Sequence, residues 1–543
     1  MQSNHARSCK WRGLILLLSV IAFPIKAVEW QWSVPVKKVI SSETNDHPNA
    51  FLWIPSNCKQ VNAVVVGQQN MLEESIFEHP LFRKTMSELG FAVVWFSPMM
   101  DLTFDFHKGI GETFNEMMTD LAKVSGYQEL EYAPVVPIGH SAQASYPWNF
   151  AAWNPGRTLA ILSIHGDAPL TKLTGSGRPN PDWEDRTIEG VPGLMVEGEY
   201  EWWEDRVLPA LDYRAKYPKA PVSFLADAGH GHFDCSDEMV DYLCLFLRKA
   251  STYRLPAKAS INKPVKLKPV DPSKGWLADR FRPDKMPLAP AAPYNKYKGD
   301  ANDAFWYFDR EIAEATEKFY ARERGKKPQY IGFTQKGKLL PFNLKNHARI
   351  VGKFEPEDDG LTFHVGAAFT DTLRLRGSDE HAAGQPVINR ICGPVVKVND
   401  TTFTVRFYNM GLNNKKRTSD IWLIATHKGD EQYKSTVQQF TLHFPYPNTE
   451  GVAQKISFDS LDDVKSGIKS IKLNAKSDRG MPVYYYVQEG PVRIVGDTLF
   501  FTQLPPRAQY PVKVTIVAWQ YGRSVEPKVK TALPVVRSFK IYR

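Results

Sequence analysis

The stretch Ala133-Pro134-Val135-Val136-Pro137-Ile138-Gly139-His140-Ser141-Ala142-Gln143-Ala144-Ser145 runs from an apolar strand into small residues and then into a helix pattern. It reads as a nucleophile elbow, the sharp turn that exposes a serine hydroxyl and directs the following N–H groups at any oxyanion that forms. Gly139, two residues before Ser141, fits this reading because a side chain there would collide with the turn. The glycine usual two residues after the serine is replaced by Gln143. Short motifs of this kind recur by chance, so the context decides.

Upstream, Val61 to Gly67 is a buried-type strand ending in the polar loop Gln68-Gln69-Asn70, where an oxyanion loop belongs. Pro80 to Leu89 is patterned as a helix closing at Gly90, and Phe91 to Phe96 is a second apolar strand, completing a β-α-β unit. Residues 111–124 place Phe114, Met117, Met118, Leu121 and Val124 at helical spacing just before the elbow strand. A helix around 146–153 and strands at Thr158 to Ile164, Gly193 to Val196 and Pro221 to Ala226 follow. Strands alternating with helices predict a mostly parallel sheet covered on both faces.

The strand Leu194-Met195-Val196 ends in Glu197-Gly198-Glu199-Tyr200-Glu201, and the last strand ends in Asp227-Ala228-Gly229-His230-Gly231-His232-Phe233-Asp234. The chain order is Ser, acid, His, at the carboxyl ends of strands. On these motifs residues 28–250 resemble an α/β-hydrolase domain, nearest the dienelactone-hydrolase and carbohydrate-esterase branch. The resemblance implies Ser141 as nucleophile, His232 as base and Glu201 as the acid three residues beyond the strand's closing glycine. His230 competes with His232, and Glu199 and Asp167 remain alternatives for the acid. The N–H of Ala142, with one from Gln68 or Gln69, would form the oxyanion hole.

The cluster Tyr200, Trp202 and Trp203 beside the acid has two readings, helix packing or a platform that stacks on a sugar ring. Residues 169–192 form a long polar loop in which Lys172 and Arg178 could meet an anionic substrate. No phosphate-cradling glycine loop appears, the histidines and cysteines are not spaced as metal ligands, and no cofactor is implied.

With 543 residues, 43% of them hydrophobic, the chain is too long for one core. Residues 1–27, with Arg7, Lys10 and Arg12 before the apolar run from Leu14 to Phe23, read as a signal peptide, so the protein is expected to be exported, to the periplasm, the cell surface or the medium. No transmembrane span is expected. The α/β-hydrolase domain is placed at 28–252 and a Pro- and Lys-rich linker or wrapping arm with one helix (304–324) at 253–328. Short β-rich runs predict a β-sandwich at 329–450 and an immunoglobulin-like one at 451–543.

The formal net charge of +9 hides a division: acidic residues predominate over 28–250 and basic ones over 251–543. A basic accessory half on an exported hydrolase suits an acidic polymer. Nucleic acid is a poor candidate, since no recognised nucleic-acid motif is present. The arrangement resembles secreted bacterial esterases acting on plant polysaccharide, which implies removal of methyl or acetyl esters, with pectin methyl esters favoured. A prolyl-peptidase-like serine peptidase and a non-catalytic carbohydrate-binding or surface protein are the alternatives.

Overall fold

A computed structural model describes residues 30–202, 204–257, 262–407, 414 and 416–543. The expected signal peptide, residues 1–27, and Trp203 lie outside the described residues. The N-terminal region is built on an eight-stranded sheet in the order β1-β2-β4-β3-β5-β6-β7-β8. Strands β1 (Trp32–Pro35) and β2 (Asn49–Trp53) form an antiparallel edge. Strands β3 (Ala63–Gln68), β4 (Phe91–Ser97), β5 (Val135–His140), β6 (Ile161–Ile164), β7 (Gly193–Gly198) and β8 (Val222–Asp227) run parallel. Every residue of β3 to β8 is buried, as a sheet covered on both faces requires.

Between the strands lie α1 (Leu72–Glu78), α2 (Pro80–Leu89), α3 (Gly111–Ser125), α4 (Ser145–Trp153) and α5 (Glu204–Lys216), and α6 (Asp237–Arg254) follows β8. Their ends carry the expected signals: α2 begins with Pro80 in its first turn and stops at left-handed Gly90, and the Ser236 hydroxyl caps α6 on the N–H of Met239. The chain goes from β3 to β4 on one side and returns to β5 on the other, so the carboxyl ends of β3 and β5 part. That divergence opens the crevice in which an open α/β sheet places its ligand.

Two expectations need correction. The strand expected over 158–164 is shorter, at Ile161–Ile164, and Thr158 meets the sheet through an isolated bridge to Val135. The helix expected over 304–324 is split: Ala304-Phe305-Trp306-Tyr307 forms a strand, and only Arg310–Ala321 is helical (α7), starting at the Asp309 cap. The run of large aromatic residues favours strand over helix, and helical spacing in the sequence masked it. Trp276–Asp279 pairs with this strand. Leu277, Phe305, Trp306 and Ile312 join the same apolar core as Phe224 and Leu247, so the segment wraps the eight-stranded sheet.

Residues 330–443 form three three-stranded antiparallel sheets, and residues 456–542 form a two-, a four- and a three-stranded sheet. The β-rich runs of the sequence are strands at Thr362–His364, Thr402–Val405, Asp420–His427, Thr436–His443 and Val512–Trp519. Apolar residues of the last segment, such as Phe458, Leu499 and Val514, share a core with Trp32, Val34 and Phe114. Arg507 adds a bond to the buried Glu129 carboxylate at 2.8 Å.

The middle sheets press on the loops after β7 and β8. Lys434 Nζ donates to Glu199 at 2.6 Å and is itself buried, while Glu199 also accepts the Gly229 N–H at 2.8 Å. The Tyr200 hydroxyl donates to the Ser435 carbonyl at 2.5 Å. Gly229 has φ 78° and a Cβ there would strike the Ser435 hydroxyl, so glycine is required for this approach. Replacing Lys434 with Met strands the Glu199 charge in the interface. Lys434→Met is expected to cost about 3 kcal/mol in urea unfolding, whereas Lys428→Met, on the exposed turn before it, changes little.

Candidate active site

Ser141 follows β5 directly and has a left-handed backbone, φ 54°. A non-glycine residue in that region is strained, and strain of this kind concentrates where function needs it. The turn closes tightly: a Cβ on Gly139 would collide with the Gln143 carbonyl oxygen. Ser141–Gln143 forms one 3-10 turn before α4, and the Ala144 N–H bonds back to the Ser141 carbonyl at 2.9 Å. Gln143 is accommodated because its side chain leaves the turn and is buried, with Nε2 at 2.9 Å from Met99 Sδ. The close packing then falls on Gly166, where a Cβ would overlap that of Ala144.

His232 Nε2 lies 2.8 Å from Ser141 Oγ, and His232 Nδ1 bonds Glu201 Oε2. Glu201 is buried in the turn after β7, and its Oε1 accepts the Gly198 N–H at 3.0 Å. Burial pushes this carboxyl up, but the charges and hydrogen bonds of His165 and His232 outweigh it and hold it well below the ordinary carboxylate range. The sequence alternatives are placed elsewhere. His230 pairs with Asp234, Glu199 with Gly229 and Lys434, and Asp167 lies 3.6 Å from Arg206.

The other expected site residues are placed as follows. The Gln69 N–H cannot serve an oxyanion, because it donates to the Phe96 carbonyl at 2.8 Å. Gln68 ends β3, and its side-chain oxygen accepts the Met100 N–H at 2.7 Å. Ala142 stands directly after Ser141 in the turn. Trp202 is half-buried: it packs edge-on against Phe224 and Phe281, and its Nε1 donates to Glu204. Arg178 is exposed on a loop whose Gly175 lies against the Ser141 carbonyl.

Sequence reasoning missed four contributors. His140 Nε2 bonds the His232 carbonyl at 2.8 Å, and Asn70 Nδ2 donates to the His140 carbonyl at 2.7 Å, which ties β3, β5 and the His loop together. Burial, then the neighbouring His232 and His165, hold His140 well below the usual histidine range, so it is neutral. His165, at the end of β6, bonds Glu201 Oε1. Their signal was position: one precedes the serine, the other ends a neighbouring strand. His347 and Trp422 come from the middle sheets and flank Phe233, with ring centres 5.0 and 5.3 Å from it. Nothing in the sequence links them to the site.

Asp227, His230 and Asp234 bring three potential ligand atoms within 4.8 Å of one another. His230 is held to Asp234, and Arg322 reaches Asp227 at 3.4 Å, so these carboxylates already face two positive groups, which opposes a cation there. Among the described residues the cysteines, Cys58, Cys235, Cys244 and Cys392, are free thiols.

Two outcomes follow from this geometry. Gly139→Ala should fold yet lose more than tenfold in its rate of labelling by a serine-reactive phosphonate, since Ser141 cannot hold its position. Burial lowers the proton affinity of His230, but Asp227 and Asp234 outweigh it and raise its pKa from 6.5 to about 9. The folded state thus binds this proton more tightly than the unfolded chain. The stability it adds is complete below pH 6.5 and is lost as pH rises through about 9. Thermal unfolding should show that fall in the wild type and a flatter profile in His230→Gln.

No protein-family model and no curated protein sequence matches the chain. Serine hydrolases and esterases are among the solved structures that match. S-formylglutathione hydrolase from Agrobacterium tumefaciens is 13% identical, covering 42% of this chain and 97% of that one, with a TM-score of 0.32. The substrate-bound fluorophosphonate-binding serine hydrolase F of Staphylococcus aureus is 14% identical over 41% and 96%, with a TM-score of 0.28. A carboxyl esterase from Bacillus coagulans is 11% identical over 40% and 98%, with a TM-score of 0.27.

Proposed function

We propose that the chain is a serine carboxylic-ester hydrolase, exported, that removes methyl or acetyl esters from a polysaccharide, with methyl-esterified pectin the favoured substrate. The observation that carries the hydrolase reading is the 2.8 Å contact of His232 Nε2 with Ser141 Oγ, backed by the buried Glu201 carboxylate. Ser141 Oγ attacks the ester carbonyl while His232 takes its proton, and Glu201 stabilises the imidazolium through Nδ1–H. The oxyanion forms beside the Ala142 N–H. Collapse breaks the ester C–O bond, His232 returns the proton to the departing alcohol, and an acyl-serine remains. Water, deprotonated by His232, then releases the acid and restores Ser141.

The substrate class rests on the mouth of the site. The exposed Arg178, and Arg349 beside His347, add positive charge around an otherwise acidic domain. Such a rim draws an anionic polymer. The basic excess over residues 251–543 extends that field along the chain.

The test is hydrolysis by residues 28–543 and by Ser141→Ala on methyl-esterified pectin and acetylated xylan, following methanol and acetate. Methanol release that falls at least a thousandfold in the mutant supports the full reading. Acetate alone moves the substrate and keeps the mechanism. Equal rates in mutant and wild type would sink the hydrolase reading and favour a binding protein.

A further inference from the structure

Glu201 has two imidazole partners, and the reaction above uses one. His232 takes Oε2, whereas Oε1 is held by His165 Nδ1 together with the Gly198 N–H. His165 is fully buried, its backbone is left-handed at φ 50°, and its Nε2 has no hydrogen-bond partner among the described residues. A buried histidine held in a strained conformation with one ring nitrogen unmatched is costly as mere packing. What it gains is contact with the acid.

The groups around it fix its state. From the turn after β7 comes Glu201, with the buried Glu197 behind it, 3.8 Å from Arg206; burial, and then Glu201, push the Glu197 carboxyl well above the ordinary carboxylate range. From β5 and the His loop come His140 and His232, each with its ring centre 5.8 Å away. Asp227 at the end of β8 and Asp234 add negative charge, and Arg206 of α5 reaches the His165 carbonyl at 3.4 Å. Burial lowers the proton affinity of His165, but Glu201, Asp227 and Asp234 outweigh it and raise it above the ordinary histidine range.

Resting on the hydrolase reading, we propose that His165 is a positioning residue for the reaction: its Nδ1–H fixes Oε1 of Glu201, so that one carboxylate is shared by two imidazoles and Oε2 is presented to His232. A buried carboxylate beside a lone imidazole favours the imidazolium, which cannot act as a base. One carboxylate shared by two imidazoles accommodates one cation readily and a second only with difficulty. Sharing Glu201 between the two rings therefore weakens its pull on a proton.

Two variants separate this role from simple packing. His165→Asn keeps a short N–H donor without the charge, and His165→Leu loses both. The acid limb of kcat/KM should move about 1 pH unit upward in His165→Asn, with the plateau within a few-fold of wild type. In His165→Leu the plateau should also fall more than tenfold, because Oε1 loses its partner. A purely structural role would lower stability or the plateau and leave the limb in place, and a limb in His165→Asn that overlays the wild type overturns the proposal. A second readout needs no turnover. The full-length protein should show a far-downfield imidazole N–H proton signal that vanishes in His165→Asn and persists in His230→Gln. Absence of any ester hydrolysis by the wild type would defeat the hydrolase reading while leaving this signal to be read; absence of the signal would defeat the Glu201–His165 bond itself.

Discussion

A single buried negative charge organises this molecule. Glu201 is only 7% exposed, and an ionised carboxylate at that depth is tolerated only when both oxygens are committed. Here the commitments come from the ends of three strands: the Gly198 N–H at β7, His165 at β6 and His232 beyond β8. They meet because the strands are parallel and neighbouring, so their carboxyl ends open on one edge of the sheet. The serine reaches the same edge from β5. The chemistry is therefore set by a charge-satisfaction problem whose solution is the sheet order.

A sheet fixes strand ends more firmly than the loops beyond them. The acid turn and the His loop are held to each other by material from elsewhere in the chain. Lys434 supplies the cation for Glu199, the Ser435 carbonyl accepts from Tyr200, and the buried Glu323 carboxylate accepts the Ser435 N–H at 2.8 Å. Val437 packs at Gly231, one residue before His232. The β-rich half is thus part of the site's support. It also brings His347 and Trp422 to Phe233, so the wall next to the base belongs to sheets remote in sequence.

What could be read from the sequence follows from range. Strands β3, β4, β5, β7 and β8 are continuous apolar runs bounded by breakers, and helix α2 carries both its end signals, so local pattern sufficed. The meeting of Ser141, His232 and Glu201 was legible because each sits where a strand stops. The short edge strands β1 and β2 lack that contrast. Ala304 to Tyr307 misled because aromatic residues spaced for one helical face also suit a buried strand, and partners decide between them. His165 and Lys434 escaped because their meaning lies in a carboxylate far away in the chain. Trp202 was read from its place beside the acid, but its edge contacts with Phe224 and Phe281 come from segments that the local pattern does not reveal.

The departure at Gln143 shows what a motif string records and what it omits. The elbow requires close approach between the turn and the strands beside it, and a glycine two residues past the serine is one way to obtain it. In this chain the side chain at 143 is sent under the Met99 loop instead, and the missing space is supplied by Gly166 on the neighbouring strand's exit. The physical demand, room for Ala144 against the end of β6, is met from the other side of the contact. Gly139 admits no such exchange, because what it faces is the backbone carbonyl of Gln143, which no choice of side chain can move. The two glycines of the pattern are therefore unequal constraints, and the one retained here is the one the serine's strained backbone depends on.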